Sequence, residues 1–100
     1  MYAMVGKMTA QFGQRSALAK ILTQAAQIVG AFPGCRLYLV NEDVDDENVV
    51  WVYEAWTDKA AHDLSLQDAR VRALITQAMP LLDGAPDGSE LRLLGGHGVG

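Results

Sequence analysis

The ten residues Asn48 to Thr57, Asn-Val-Val-Trp-Val-Tyr-Glu-Ala-Trp-Thr, constrain the fold more than any other part of the chain. Nearly all are β-branched or aromatic, the side chains that suit a pleated, half-buried surface, and both tryptophans of the chain lie among them. In a strand, alternate side chains point to opposite faces. Val50, Val52, Glu54 and Trp56 then share one face, and Val49, Trp51, Tyr53 and Ala55 the other. Neither set is polar enough to be left in water, so both faces need cover. A chain of 100 residues makes one domain and has little material to cover both, which points toward a second subunit.

Charge narrows the partners. Charged residues are 20% of the chain, under the ~25% usual for globular proteins, as suits a surface that is partly buried by association. A net charge of −4, with eight scattered Lys and Arg, argues against nucleic acid and anionic membranes as partners. No apolar run is long enough to span a bilayer, and Met1 to Ala10 lacks the apolar core of a secretory signal. The lone Cys35 excludes an internal disulfide and reads as a small apolar residue at a strand start. A reducing cytoplasm is the expected compartment.

Taken in order, period-two alternation predicts a strand over 2–10, with Gly6 inside it and Gly13 breaking it. Ala17, Leu18, Ile21, Leu22, Ala25, Ile28 and Val29 recur at three- and four-residue steps and predict a helix over 14–29, closed by Gly30 and the Pro33-Gly34 turn. A strand over 35–43 follows, then an acidic connection to the central strand. Asp43, Asp45 and Glu47 alternate like calcium ligands, yet lack the central glycine and ligand count of an EF-hand; a solvated hairpin loop is the better reading. Asp58 can cap a short helix through Ala61, His62 and Leu64. The capping-box pattern Ser65-Leu-Gln-Asp68 predicts that a second helix begins there, with the apolar stripe Val71, Leu74, Ile75, Ala78 and Met79. A last strand is expected over 89–94. The order β-α-β-β-α-β is the ferredoxin-like α+β arrangement, an antiparallel sheet with helices on one face. Residues 1–95 form the domain and 96–100, which include His97, a disordered glycine-rich tail.

Chemistry-bearing residues are few. No Cys/His cluster has metal spacing, and no phosphate-binding loop or nucleophile triad is readable. His62 and Asp63 are adjacent, but neighbouring helix positions point about 100° apart, so they are not expected to pair; Asp58, one turn earlier, could hold the ring. His62 is either a core-edge histidine or a proton-transfer group. Glu54 on a core-facing side must find a partner or shift its pKa, and Arg92 or Arg36 on a neighbouring strand could supply the partner.

The tract Val52 to Gln67, with its Glu-x-Trp-x-Asp run entering a short helix, resembles the antibiotic biosynthesis monooxygenase family, and the resemblance extends over about residues 2–95. It implies a homodimer whose two sheets pack into a dimeric α+β barrel, and a pocket between sheet and helices in each subunit. It further implies oxidation of a small aromatic, phenolic or quinol substrate by molecular oxygen without a dedicated cofactor or metal. The pocket tryptophan of the family falls on Trp56. Val52 stands where polyketide-oxidising members have asparagine. Ser65 and Leu66 stand near the histidine of haem-degrading members, and Gly6 and Lys7 near their first-strand asparagine. These departures weaken both of those chemistries. The expected site is therefore Trp56 shaping the pocket, His62 as base, and Glu54, Tyr38 and Arg92 as substrate contacts. The rival readings are an isomerase of the same fold, or a ligand-binding homodimer without turnover.

Overall fold

The computed structural model describes residues 1–98; Val99 and Gly100, the end of the expected tail, lie outside the described residues. The chain runs β1 (Tyr2–Thr9), α1 (Arg15–Val29), β2 (Cys35–Glu42), β3 (Val49–Trp56), α2 (Lys59–Ser65), α3 (Ala69–Ala78), a 3-10 turn (Met79–Leu81) and β4 (Asp87–Arg92). The strands form one antiparallel sheet in the order β2-β3-β1-β4. This is the ferredoxin-like α+β fold, with its second helical segment divided in two.

β3 sits inside the sheet because it is apolar on both faces, and β1 and β2 flank it. The register pairs Met8 with Val50, Gly6 with Val52, Met4 with Glu54 and Tyr2 with Trp56 on the helix side. Against this face α1 lays Leu18, Leu22, Ala25 and Val29, all buried and spaced at three- and four-residue steps. Leu18 and Leu22 pack with Val50 and Val52, and Val29 packs with Val71 of α3 around Trp56.

Several boundaries differ by one or two residues from the sequence reading, and the second helical segment differs more. Ser65 does not begin a helix. It ends α2, its hydroxyl donating to the His62 carbonyl at 2.6 Å. Asp68 caps α3 instead, its carboxylate accepting the Arg70 and Val71 amides at 2.8 and 3.4 Å. The last strand begins at Asp87 rather than Ser89, because its ladder with β1 starts at the Lys7–Asp87 pair.

The outer face of the sheet is better covered by its own chain than expected. Val49 and Ala55 are buried, and Trp51 donates its indole N–H to Asp43 Oδ2 at 2.8 Å while Lys7 Nζ lies 5.7 Å from its ring centroid. Asp43 also accepts the Asp45 and Asp46 amides, so it knots the β2–β3 loop. Among the described residues no group of three His, Cys, Asp or Glu could hold a metal ion. What remains open on this face is Leu39, 47% exposed, and Leu91, 41% exposed, beside half-buried Leu37, Tyr53 and Val5. No described helix is long and apolar enough to cross a membrane.

Candidate active site

Between the sheet and the helices lies a cavity of about 230 Å³. Met8, Leu22, Val29, Val71 and Leu74 are among its apolar walls, and among the described residues Glu54 is the only charged one that lines it, with Tyr38 and Ser65 the only other polar side chains. Strand alternation alone brings Glu54 here: it lies between Val52 and Trp56 on the helix-facing side of β3, opposite Tyr38 of β2 and Met4 of β1.

Burial pushes the Glu54 carboxyl above its ordinary value; the Trp56 indole and the nearby His62 oppose this without reversing it. The Trp56 indole N–H donates to Glu54 Oε1 at 3.1 Å. His62 Nε2 lies 3.8 Å from the same oxygen, close enough for charge to be felt but beyond a hydrogen bond. Neither expected arginine partner reaches Glu54. Arg92 is on β4, and β1 lies between that strand and β3; Arg36 is exposed where the β2–β3 register shifts between Cys35 and Leu37.

His62 is held on the second turn of α2, whose cap is the Asp58 carboxylate accepting the Ala61 amide at 2.8 Å. That engagement removes Asp58 as the holder of the ring. Asp63 takes the role instead, its Oδ1 lying 3.0 Å from His62 Nδ1, contrary to the expectation from helix geometry. The carboxylate bends back along the helix surface, where Lys59 Nζ also holds it at 3.0 Å; these two partners keep Asp63 below the usual carboxylate range. The ring itself is buried, edge-on to Trp56 at 5.7 Å and tilted on Tyr2 at 5.2 Å.

Four of the five residues singled out in the sequence thus come together, in layers. Glu54 and Tyr38 face the cavity, Trp56 and His62 stand behind Glu54, and Asp63 closes the stack at the surface. Arg92 stands apart, exposed on β4 across from Tyr2. Exposed His97 does not line the cavity. Tyr38 is kept neutral at every ordinary pH: burial first, then the Glu54 charge, then Cys35, push its phenol up. Burial likewise pushes the Cys35 thiol up, in keeping with a packing role. The α3 side of the cavity was not read as a wall from sequence, although the spacing of Val71, Leu74 and Ala78 carried the signal.

The arrangement suits transfer of a proton between a neutral, largely apolar ligand and one buried carboxyl group. A family model described as antibiotic biosynthesis monooxygenase matches residues 1–77. A candidate antibiotic biosynthesis monooxygenase from Chloroflexus aurantiacus J-10-fl is 37% identical over 99% of this chain and 98% of its own, with a TM-score of 0.89. Rv0793 from Mycobacterium tuberculosis (22% identity, 96% and 97% coverage, TM-score 0.86) and a candidate antibiotic biosynthesis monooxygenase from Nitrosomonas europaea (14%, 94% and 99%, 0.89) share the fold. No curated protein matches the sequence.

Proposed function

The chain belongs to the antibiotic biosynthesis monooxygenase family, and on that premise we propose that it oxidises a small phenol or quinol with molecular oxygen, Glu54 serving as the proton acceptor. The observation that carries this reading is the single carboxyl of raised pKa facing an otherwise apolar cavity. His62 stands one layer further from the ligand, so its role is to position Glu54 and to favour its charged form.

Ionised Glu54 takes the phenolic proton, and the resulting phenolate, stripped of water, is electron-rich enough to pass one electron to oxygen. The substrate radical and superoxide combine at a ring carbon, forming the C–O bond, and protonated Glu54 returns its proton to the peroxide anion. Glu54 then removes the hydrogen on that carbon as the O–O bond breaks. The departing hydroxide takes this proton and leaves as water, and a carbonyl remains. One oxygen atom enters the product and one the water, and the substrate supplies all the electrons, so the sequence requires no separate reductant. The neutral Tyr38 hydroxyl, also on the cavity wall, can donate to the developing oxygen anion.

Oxygen uptake with a menadiol-type quinol tests the reading. Wild type should consume one oxygen per quinol and yield a product heavier by one oxygen and lighter by two hydrogens. Glu54→Gln should fall to the buffer rate and His62→Ala less far. Uptake by wild type no faster than buffer removes the oxygenase. A proton-shifting isomerase is the second reading, favoured because one carboxyl in an apolar cavity can move a proton between two positions of a ligand without oxygen; turnover that persists under anaerobic conditions would select it.

A homodimer through the outer face completes the proposal. It is supported by the open apolar patch of Leu37, Leu39, Tyr53, Val5 and Leu91, which lies on the side of the sheet opposite the helices.

A further inference from the structure

We infer that the natural ligand is a neutral aromatic alcohol bearing an aliphatic tail, with its hydroxyl at Glu54 and its tail leaving the cavity over Ile75 and Met79. This rests on the reading of the ligand as a phenol or quinol, and adds to it a substrate class.

The walls of the cavity are polarised along its length. Its one charged group, Glu54, is nearly buried, with 14% of its side chain exposed, and Tyr38 stands opposite it on β2. Among the described residues no Lys, Arg or His lines the cavity to neutralise an anionic head group, and Glu54 would repel one. Three further lining residues, Leu66, Ile75 and Met79, are 43%, 44% and 60% exposed, so the apolar lining reaches water at these side chains. Ile75 and Met79 lie one helical turn apart and form a strip there.

Volume supplies the second part of the argument. Sites that enclose a drug-sized ligand measure about 300–1,000 Å³, and this cavity holds about 230 Å³, enough for a ring system and no more. A ligand with further hydrocarbon must lay it along the strip, and the strip then gains the cover it lacks. The amphiphile that matches has its hydroxyl inward and its chain outward.

Anaerobic calorimetry with 4-alkylphenols from methyl to octyl tests this, since without oxygen these probes report binding alone. Wild type should bind one per subunit, with Kd falling about two- to fourfold per methylene until the chain passes Met79 and then levelling. The double variant Ile75→Gln/Met79→Gln changes exposed positions, so the fold should persist, as circular dichroism would verify. It should bind 4-methylphenol within about twofold of wild type and lose most of the dependence on chain length. 4-Alkylbenzoates of equal length should not bind. Equal Kd for all chain lengths, an undiminished slope in the double variant, or benzoates bound as tightly as phenols would each overturn the inference. So would a flat series accompanied by a change of subunit number in the double variant, which assigns the strip to a second copy. Tail-dependent binding with no oxygen uptake from alkylated quinols would leave the inference standing and sink the oxygenase; uptake from short quinols with a flat series would do the reverse.

Discussion

β3 carries two tryptophans, and each donates its indole N–H to a carboxylate: Trp51 to Asp43 on the outer face, Trp56 to Glu54 on the inner. The bonds are of similar length, 2.8 and 3.1 Å, and the chemistry is the same. The carboxyl groups nevertheless move in opposite directions. Asp43, in water and accepting two loop amides besides, falls to about 2; Glu54, enclosed by hydrocarbon and tyrosine, is raised. A hydrogen bond to the charged form favours ionisation at both sites, and only at Glu54 does desolvation outweigh it. One pair therefore fastens a loop, and the other holds the carboxyl group that we propose as proton acceptor.

The largest test of this contrast is Glu54→Gln, which retains an acceptor for the Trp56 indole and removes the charge. Turnover of a quinol should fall about 10²–10⁴-fold, the usual worth of a positioned acid–base group. The same variant should melt higher than wild type at neutral pH. The sign follows from the raised folded pKa: between the ordinary 4.5 and that raised value the unfolded chain ionises while the folded one still holds its proton, so stability declines as pH rises through this window. Scanning calorimetry from pH 4 to 8 would check that the advantage of the variant shrinks toward the acid end.

Removing the tryptophans should separate the two sides energetically. Trp56 is fully buried, and Trp56→Ala should lower the unfolding free energy by about 3–5 kcal/mol in urea titration. Trp51→Phe keeps most of the packing and should cost only about 1 kcal/mol, the net worth of one hydrogen bond. A cost at Trp51 equal to that at Trp56 would mean that the outer face is sealed as tightly as the inner one.

On the outer face, Leu39→Arg with Leu91→Arg places charge on the open patch and should halve the mass measured by light scattering at micromolar concentration. A mass unchanged between this variant and wild type would break the proposed dimer.

Asp43→Asn should give the smallest effect. Because the folded pKa lies near 2, below the ordinary 3.8, its contribution is complete above the ordinary value and is lost as pH falls through about 2. The variant should therefore carry its whole deficit at pH 7 and show a flatter loss of stability between pH 4 and pH 2, so that the gap to wild type closes in acid.

Much of the fold was legible in the sequence, since period and capping are local. The alternation from Val49 to Trp56 and the three- and four-residue steps from Leu18 to Val29 name their faces without reference to the rest of the chain. The site was legible in part. Glu54, Tyr38, Trp56 and His62 are all singled out by the sequence, with His62 read as base and Glu54 as a contact because a histidine ordinarily titrates near neutrality and a carboxyl does not; the proposed function exchanges those two roles. Arg92 was placed within reach of Glu54 on the assumption of adjacent strands, and the order β2-β3-β1-β4 separates them. The error at Ser65 was of another kind: two acceptable caps three residues apart compete, and the loser closes α2.

By itself, the sequence determined which side chains share a face, because repeats of 2.0 and 3.6 residues are properties of the backbone that every short segment carries with it. Tertiary structure alone decided which carboxyl group has its pKa pushed up and which has it drawn down. Desolvation is a sum over neighbours, and those around Glu54 come from α1, α3, β1 and β2 together, a set that no segment of the chain specifies until all of them have packed.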